Sequence, residues 1–222
     1  MSTPARAATT TLSEAASKDL LARFGVPFAR EEIASTPEAA VAAAGAIGYP
    51  VVLKLNGDGI AHKTERGLVR LNVADADTVG TAARELLSSA TEADGDVTLL
   101  IAPMLFATRE LIVGLDRDDQ FGMTVLLGVG GILAEAIADV SMRLVPIDRT
   151  DAEEMIDDLA TSALFGEFRG EPSVDRFALA DVILALSSAA AAHREVVSAD
   201  LNPLLIVEGS PIAVDALVEI ER

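Results

Sequence analysis

The chain has 222 residues, half of them apolar, and a formal net charge of −18 from 17 basic and 35 acidic side chains. That length buries a core as one large domain or two lobes sharing a cleft, and the acidity excludes a nucleic-acid partner, which needs clustered Lys and Arg. With no cysteine, disulfides, thiolate metal sites and a cysteine nucleophile are excluded, so any metal is held by oxygen or imidazole. No apolar run approaches the roughly 20 residues of a membrane span, and residues 1–11 lack the layout of a signal peptide. The expectation is a cytoplasmic protein, without membrane attachment, whose residues 1–11 form a flexible tail.

Leu12 to Phe24 predicts a helix: Ser13 can cap it, Ala16, Leu20, Leu21 and Phe24 share a face, and Gly25 ends it. Pro27 starts an extended piece. Thr36-Pro37-Glu38 supplies a cap, a proline at the first helical position and an acid in the first turn, opening an Ala-rich helix that stops at Gly48. Val51 to Leu55 is an apolar strand, broken by Gly57, Asp58 and Gly59 into a loop that carries His62 and Lys63, and Gly67 to Val73 returns as a strand. A helix from Asp77 to Ser89 and a strand from Val97 to Ala102 follow. Residues 27–103 thus alternate strand and helix as one α/β lobe.

From Thr108 the segments lengthen into strands over Arg109 to Leu115, Met123 to Gly128 and Ser141 to Ile147, with Gly128, Gly130 and Gly131 between two of them. Thr150 caps an acidic helix, and Val174 to Ala192 forms a longer one. The chain closes as a hairpin of Leu204 to Val207, a Glu208-Gly209-Ser210 turn, and Ile212 to Leu217. Residues 12–26 and 104–222 together make the second lobe.

Lysine is scarce: there are three, Lys18, Lys54 and Lys63, against fourteen arginines. Lys54 sits mid-strand among residues expected to be buried, where a charge is costly unless it meets an anion, and an ammonium donating to phosphate meets that need. The plain alternative is a lysine that snorkels to water. His62 lies in a glycine-bracketed loop beside Lys63. A neutral imidazole, with a reference pKa of about 6.5, is a competent nucleophile toward a phosphoryl group, although a lone loop histidine is often only solvated. His193, on a helix face, has a weaker claim.

Asp200 and Asn202, two apart in an extended segment, project to one face, and Asp215 can return beside them if the hairpin forms. Two carboxylates and an amide oxygen suit Mg²⁺, although Asp and Asn near turns are common. Gly128-Val129-Gly130-Gly131 lacks the Lys-Ser/Thr ending of a P-loop and the spacing of a dinucleotide fingerprint. It reads as a tight β connection, or as backbone N–H groups approaching phosphate.

Taken in order, the stretches 48–54 (Gly-Tyr-Pro-Val-Val-Leu-Lys), 62–65 (His-Lys-Thr-Glu), 109–114 (Arg-Glu-Leu-Ile-Val-Gly), Phe121-Gly122, 128–132 (Gly-Val-Gly-Gly-Ile), Phe168-Arg169-Gly170 and Asp200-Leu201-Asn202-Pro203, with Asp215, resemble a known family. This is the ATP-grasp domain of NDP-forming acyl-CoA synthetases, the beta-subunit type of ADP-forming acetate–CoA ligase, related to the succinyl-CoA synthetase beta subunit. The resemblance runs from Leu12 onward. It implies an α+β ATP-grasp fold, two α/β lobes with ATP or ADP bound between them. It also implies that Lys54 contacts the ATP phosphates, that Lys63, Ala102, Met104 and Glu110 line the nucleotide site, and that Gly130 and Gly131 form its phosphate loop. Asn202 and Asp215 then hold Mg²⁺, His62 relays a phosphoryl group, and Asp200 steadies the phosphohistidine.

The implied reaction converts acyl-CoA, ADP and phosphate to acid, CoA and ATP, or the reverse, with an alpha-type CoA-binding subunit in a hetero-oligomer such as α2β2. Two departures stand out. The family loop carries two adjacent glycines where this chain has Gly67 and Leu68, and Ala102 replaces a polar residue beside the adenine pocket. Two other readings stay open: an ATP-grasp carboxylate–amine ligase, which has no use for His62, and a nucleotide-sensing subunit without turnover.

Overall fold

The computed structural model describes residues 9–60, 63–131 and 137–221. Along the chain run β1 (Thr9–Thr11), α1 (Glu14–Ala22), β2 (Glu32–Ala34), α2 (Pro37–Ile47), β3 (Val51–Asn56), β4 (Val69–Val73), α3 (Ala76–Ser88) and β5 (Thr98–Pro103). They are followed by β6 (Glu110–Asp118), β7 (Gly122–Val129), β8 (Val140–Leu144), α4 (Arg149–Asp157), α5 (Arg176–Ala192), β9 (Val196–Val207), β10 (Ser210–Ala213) and β11 (Leu217–Glu221). The chain divides into a smaller unit, Leu12–Ala16 with Phe28–Phe106, and a larger one built from residues 9–11, 17–27 and 107–221.

The smaller unit is an antiparallel sheet in the order β2-β5-β3-β4 with α2 and α3 on one face. Thr36 caps α2 by accepting from the Ala39 amide at 3.2 Å, and Pro37 needs no donor at the first position. Gly48 ends that helix at φ 96°, a conformation that favours glycine. On β3 the alternation of a strand separates two buried sets. Val51, Leu53 and Leu55 enter the core with Val79, Ala83 and Leu86 of α3. Val52, Lys54 and Asn56 point to the other face, and their antiparallel partners there are Ala102, Leu100 and Thr98.

Leu12–Ala16, expected in the second lobe, belongs with this unit, because its polar groups dock on β3 and the loop after it. The Ser13 amide donates to Asp58 Oδ1 and the Ala15 amide to Asn56 Oδ1, both at 3.0 Å. Leu68, at the position of the family's second glycine, does not take a positive φ, whereas Gly67 does at 68°. The Leu68 amide donates to the Lys63 carbonyl at 2.8 Å, its carbonyl accepts from the Leu55 amide at 3.0 Å, and its side chain fills the core. A leucine therefore fits where no left-handed conformation is required.

The larger unit is a seven-stranded antiparallel sheet ordered β1-β11-β9-β6-β7-β8, with β10 paired to β9. Leu111, Val113 and Leu115 of β6 and Val125 and Leu127 of β7 are buried, as are Leu179, Val182, Ile183 and Leu186 of α5, which packs on β6 and β7. Several boundaries differ from the sequence expectations. Residues 9–11, expected in a tail, pair with β11 from Thr9↔Glu221 to Thr11↔Glu219. The acidic helix is capped by Asp148 rather than Thr150, with Asp151 answering in a capping box. The strand before it ends at Leu144, just ahead of Pro146, which has no amide to donate.

The last hairpin is also rearranged. The strand expected over 204–207 begins at Val196, so β9 takes in Asp200 and Asn202. Glu208 and Gly209 both adopt positive φ, 49° and 86°, the two-residue turn that matches strand twist, and β10 stops at Ala213. Asp215 therefore lies between β10 and β11 rather than inside a strand. Among the described residues no helix is long and apolar enough to cross a membrane.

Next to the loop after β3, Arg66 grips Asp94 with both guanidinium nitrogens at 2.9 Å, and the Thr91 amide and hydroxyl donate to the same carboxylate at 2.8 Å. The Arg66 hydrogen bonds, then those from Thr91, hold the Asp94 carboxyl well below the usual carboxylate range. A depressed folded-state pKa adds stability that is present above the unfolded value near pH 4 and is lost as pH falls below it. Asp94→Asn is expected to cost roughly 1 to 2 kcal/mol at pH 7 by thermal or urea unfolding, with the gap to wild type closing below about pH 4.

Candidate functional site

The smaller unit brings Lys54 and Lys63 to one carboxylate that the sequence reading did not single out. Glu14, at the start of α1, is 2 % exposed. Its Oε1 meets Lys54 Nζ at 2.6 Å and its Oε2 meets Lys63 Nζ at 3.0 Å. Both lysines are buried, at 7 % and 6 % exposure. Lys54 does not snorkel to water. The anion that a buried strand lysine requires is provided within the protein, from 40 residues upstream.

Ala102 and Met104 end the same sheet face. Ala102 is opposite Val52, two residues from Lys54 along β3, a separation of about 7 Å for an extended strand. The Met104 amide donates to the Pro50 carbonyl at 3.0 Å. Val52, Leu100 and Ala102, all buried, thus lie on the same sheet face as the Lys54 ammonium. His62 lies outside the described residues. Of the nearest described residues, Ile60 is buried, and Lys63 meets Glu14 through its side chain and Leu68 through its backbone.

In the larger unit Asp200, Asn202 and Asp215 come together. Asp200 is opposite Leu217 across the β9–β11 pair, and the Val214 amide donates to the Pro203 carbonyl at 3.3 Å, which draws residue 215 toward the strand. Burial pushes the Asp200 carboxyl up; a hydrogen bond from Asn202 opposes that, and the nearby Asp215 charge adds to it. A divalent cation among these oxygens would favour the charged carboxylates, so the donor set fits Mg²⁺. The set is two carboxylates and one amide, and among the described residues no three His, Cys, Asp or Glu side chains form a metal cluster. Lys18, buried on α1, donates to the Val214 carbonyl at 3.0 Å, and the Ser17 hydroxyl accepts from the Val218 amide at 3.1 Å. These contacts fix the segment that carries Asp215.

Glu110 and the glycines are also adjacent. The Gly130 amide donates to the Glu110 carbonyl at 2.8 Å, and a Cβ at residue 130 would sit 3.2 Å from that carbonyl. Close approach of the Glu110 backbone is what demands glycine at 130, and Gly131 follows at φ 84°. Residue 132 of the same stretch lies outside the described residues. The neighbouring Arg109 is 4 % exposed. Its Nε meets Glu171 at 3.1 Å, Nη1 donates to the Leu164 and Gly166 carbonyls at 3.2 Å, and Nη2 donates to Pro172 at 2.7 Å. One guanidinium therefore closes the segment that carries Phe168-Arg169-Gly170. His193 ends α5, with its ring edge-on to Phe24 and Nδ1 2.9 Å from Glu195, a packing role.

Residues 4–220 match the family model described as an ATP-grasp domain. The chain is 38% identical over 215 residues to the beta subunit of ADP-forming acetate–CoA ligase I from Pyrococcus furiosus, covering 96% of this chain and 93% of that one. It is 36% identical over 202 residues to acetate–CoA ligase [ADP-forming] I of Archaeoglobus fulgidus, covering 88% of this chain but 29% of that longer one. Among solved structures, a dinucleotide-forming acetyl-coenzyme A synthetase 1 of Ca. Korarchaeum cryptofilum superposes with TM-score 0.80 and 33% identity, over 96% of this chain and 93% of that one. That protein was captured with coenzyme A and Mg-AMPPCP, its phosphohistidine segment pointing towards the nucleotide-binding site. The chain belongs to the ATP-grasp domain family, and its close relatives there are the beta subunits of ADP-forming acetate–CoA ligases.

Proposed function

We propose that the chain is the nucleotide-handling subunit of an ADP-forming acyl-CoA synthetase, a cytoplasmic acid–thiol ligase acting with an alpha-type CoA-binding partner in a hetero-oligomer such as α2β2. The observation that carries the reading is the pair of buried ammonium groups, Lys54 and Lys63, beside the loop of His62 and on the sheet face that ends at Ala102 and Met104. Relatives occur both as separate beta subunits and within a longer single-chain ligase, which supports a CoA-binding alpha part working with this domain.

Each residue has a definable task. Lys54 donates to phosphate oxygens and Lys63 offsets charge next to His62. Glu110, Ala102 and Met104 line the nucleotide, and the Gly130-Gly131 backbone runs beside it. A neutral His62 nitrogen attacks the γ-phosphorus of ATP: the P–N bond forms, the P–O bond to ADP breaks, and ADP leaves. Asp200 accepts the remaining ring N–H of the phosphohistidine. The group then passes to the acid's carboxylate oxygen as an acyl phosphate, from which the CoA thiol displaces phosphate. Asn202 and Asp215 would hold Mg²⁺, which neutralises phosphate charge when bound. A covalent carrier serves two reaction centres too far apart for direct transfer.

Two measurements check this. By calorimetry, Lys54→Met and Asp215→Ala should each weaken MgATP binding by roughly tenfold or more while melting cooperatively, since charge-assisted contacts contribute about 1.5 to 3 kcal/mol. Unchanged affinity in both would remove the assignment. Incubation with γ-labelled ATP and Mg²⁺ should give an alkali-stable, acid-labile label on the peptide containing His62, absent from His62→Asn. Acyl-CoA-dependent ATP synthesis by His62→Asn at the wild-type rate, with the partner present, would refute the relay.

A further inference from the structure

Glu14 is 2 % exposed and touches two cations, yet the reaction just described gives it no task. Its position is unusually constrained. The amide before it, Ser13, donates to Asp58 at 3.0 Å, and the amide after it, Ala15, donates to Asn56 at the same distance. Lys54 is equally fixed, on a strand paired along both edges, with Leu100 opposite it on β5 and Val69 opposite it on β4. Lys63 has no strand to hold it. It belongs to a turn closed by the Leu68 amide on the Lys63 carbonyl and the Gly67 amide on the Thr64 carbonyl, and its ammonium meets Glu14 Oε2 at 3.0 Å.

The two oxygens of one carboxylate are thus divided between two lysines, one from a rigid strand and one from a loop. Two buried ammonium groups repel each other, and the repulsion grows as water is removed. A carboxylate between them offsets that repulsion and holds one ammonium against each of its two oxygens. We infer that Glu14 is a positioning residue, which holds the Lys54 and Lys63 ammonium groups at a fixed separation so that they receive the phosphates of the nucleotide together. The inference rests on the nucleotide reading of Lys54 and Lys63 and adds to it what presents them as a pair. Pre-set donors bind and stabilise charge without reorganising when the anion arrives.

Glu14→Gln keeps the shape and one acceptor but removes the charge, and the test compares it with Lys54→Met and with the double variant in the full chain. Calorimetry with MgATP and the rate of label transfer from γ-labelled ATP are the readouts, with thermal melting to confirm folding. Glu14→Gln is expected to weaken MgATP at least tenfold and to slow label transfer by a similar factor. Because Glu14 acts through the lysines, the double variant should fall well short of the product of the two single effects. If Glu14→Gln does not fold, Glu14→Asp, which keeps the charge and shortens the reach, is read in its place with the same expectations. Affinity equal to or tighter than wild type in the Glu14 variant, or single effects that multiply in full, overturns the positioning role. In those cases a Lys54→Met variant that has lost MgATP leaves the nucleotide reading standing. Wild-type binding by Lys54→Met sinks that reading, and the role of Glu14 falls with it.

Discussion

The charge balance at Glu14 is the constraint on which the functional face of the smaller unit depends. Two ammonium groups cannot be buried side by side in an apolar lobe unless an anion offsets them. The lobe meets this requirement with a residue from the first turn of α1, in the segment Leu12–Ala16 that belongs to the same unit. The Ser13 and Ala15 amides at that helix start, which have no partners inside the helix, take Asp58 and Asn56 as acceptors instead. One chain segment therefore satisfies its own orphan donors, neutralises two lysines and closes the polar face of β3.

The larger unit meets a similar requirement with one cation and several acceptors. Arg109 reaches three backbone carbonyls and Glu171, which orders the segment from Leu164 to Pro172, where a short 3-10 helix ends at Phe165 and a Phe168–Glu171 bridge follows. Its sequence neighbour Glu110 is held from the other direction by the Gly130 amide. Strand alternation explains how adjacent residues perform such different tasks, because Arg109 and Glu110 must point to opposite sides of an extended backbone. The oxygen set of Asp200, Asn202 and Asp215 follows the same logic, with β9 presenting two of its members on one face.

Phosphoryl transfer asks a protein for placement and charge compensation more than for bond chemistry. The smaller unit holds two buried ammonium groups against one carboxylate. The larger unit presents hard oxygens. A net charge of −18 is compatible with such chemistry because the cations that matter are few, buried and aimed, rather than spread over a surface.

Much of this was legible in the sequence. Strand and helix order, the Thr36 cap, the glycine stop at 48 and the buried character of Lys54 follow from local rules that act within a few residues, and ordered motifs were enough to name the family. The sequence also marked Asp200 and Asn202 as sharing a face, since that depends only on the two-residue repeat of a strand. Tertiary structure decided the rest. Nothing within ten residues of Glu14 reveals that it will meet Lys54 and Lys63, because the encounter depends on how residues 13–15 meet Asn56 and Asp58. The start of β9 at Val196, the pairing of Thr9–Thr11 with β11 and the placement of Asp215 outside a strand were likewise set by partner strands distant in sequence. Leu68 shows the converse. A departure from the motif is accommodated, because Leu68 takes no left-handed conformation and its side chain fills the core.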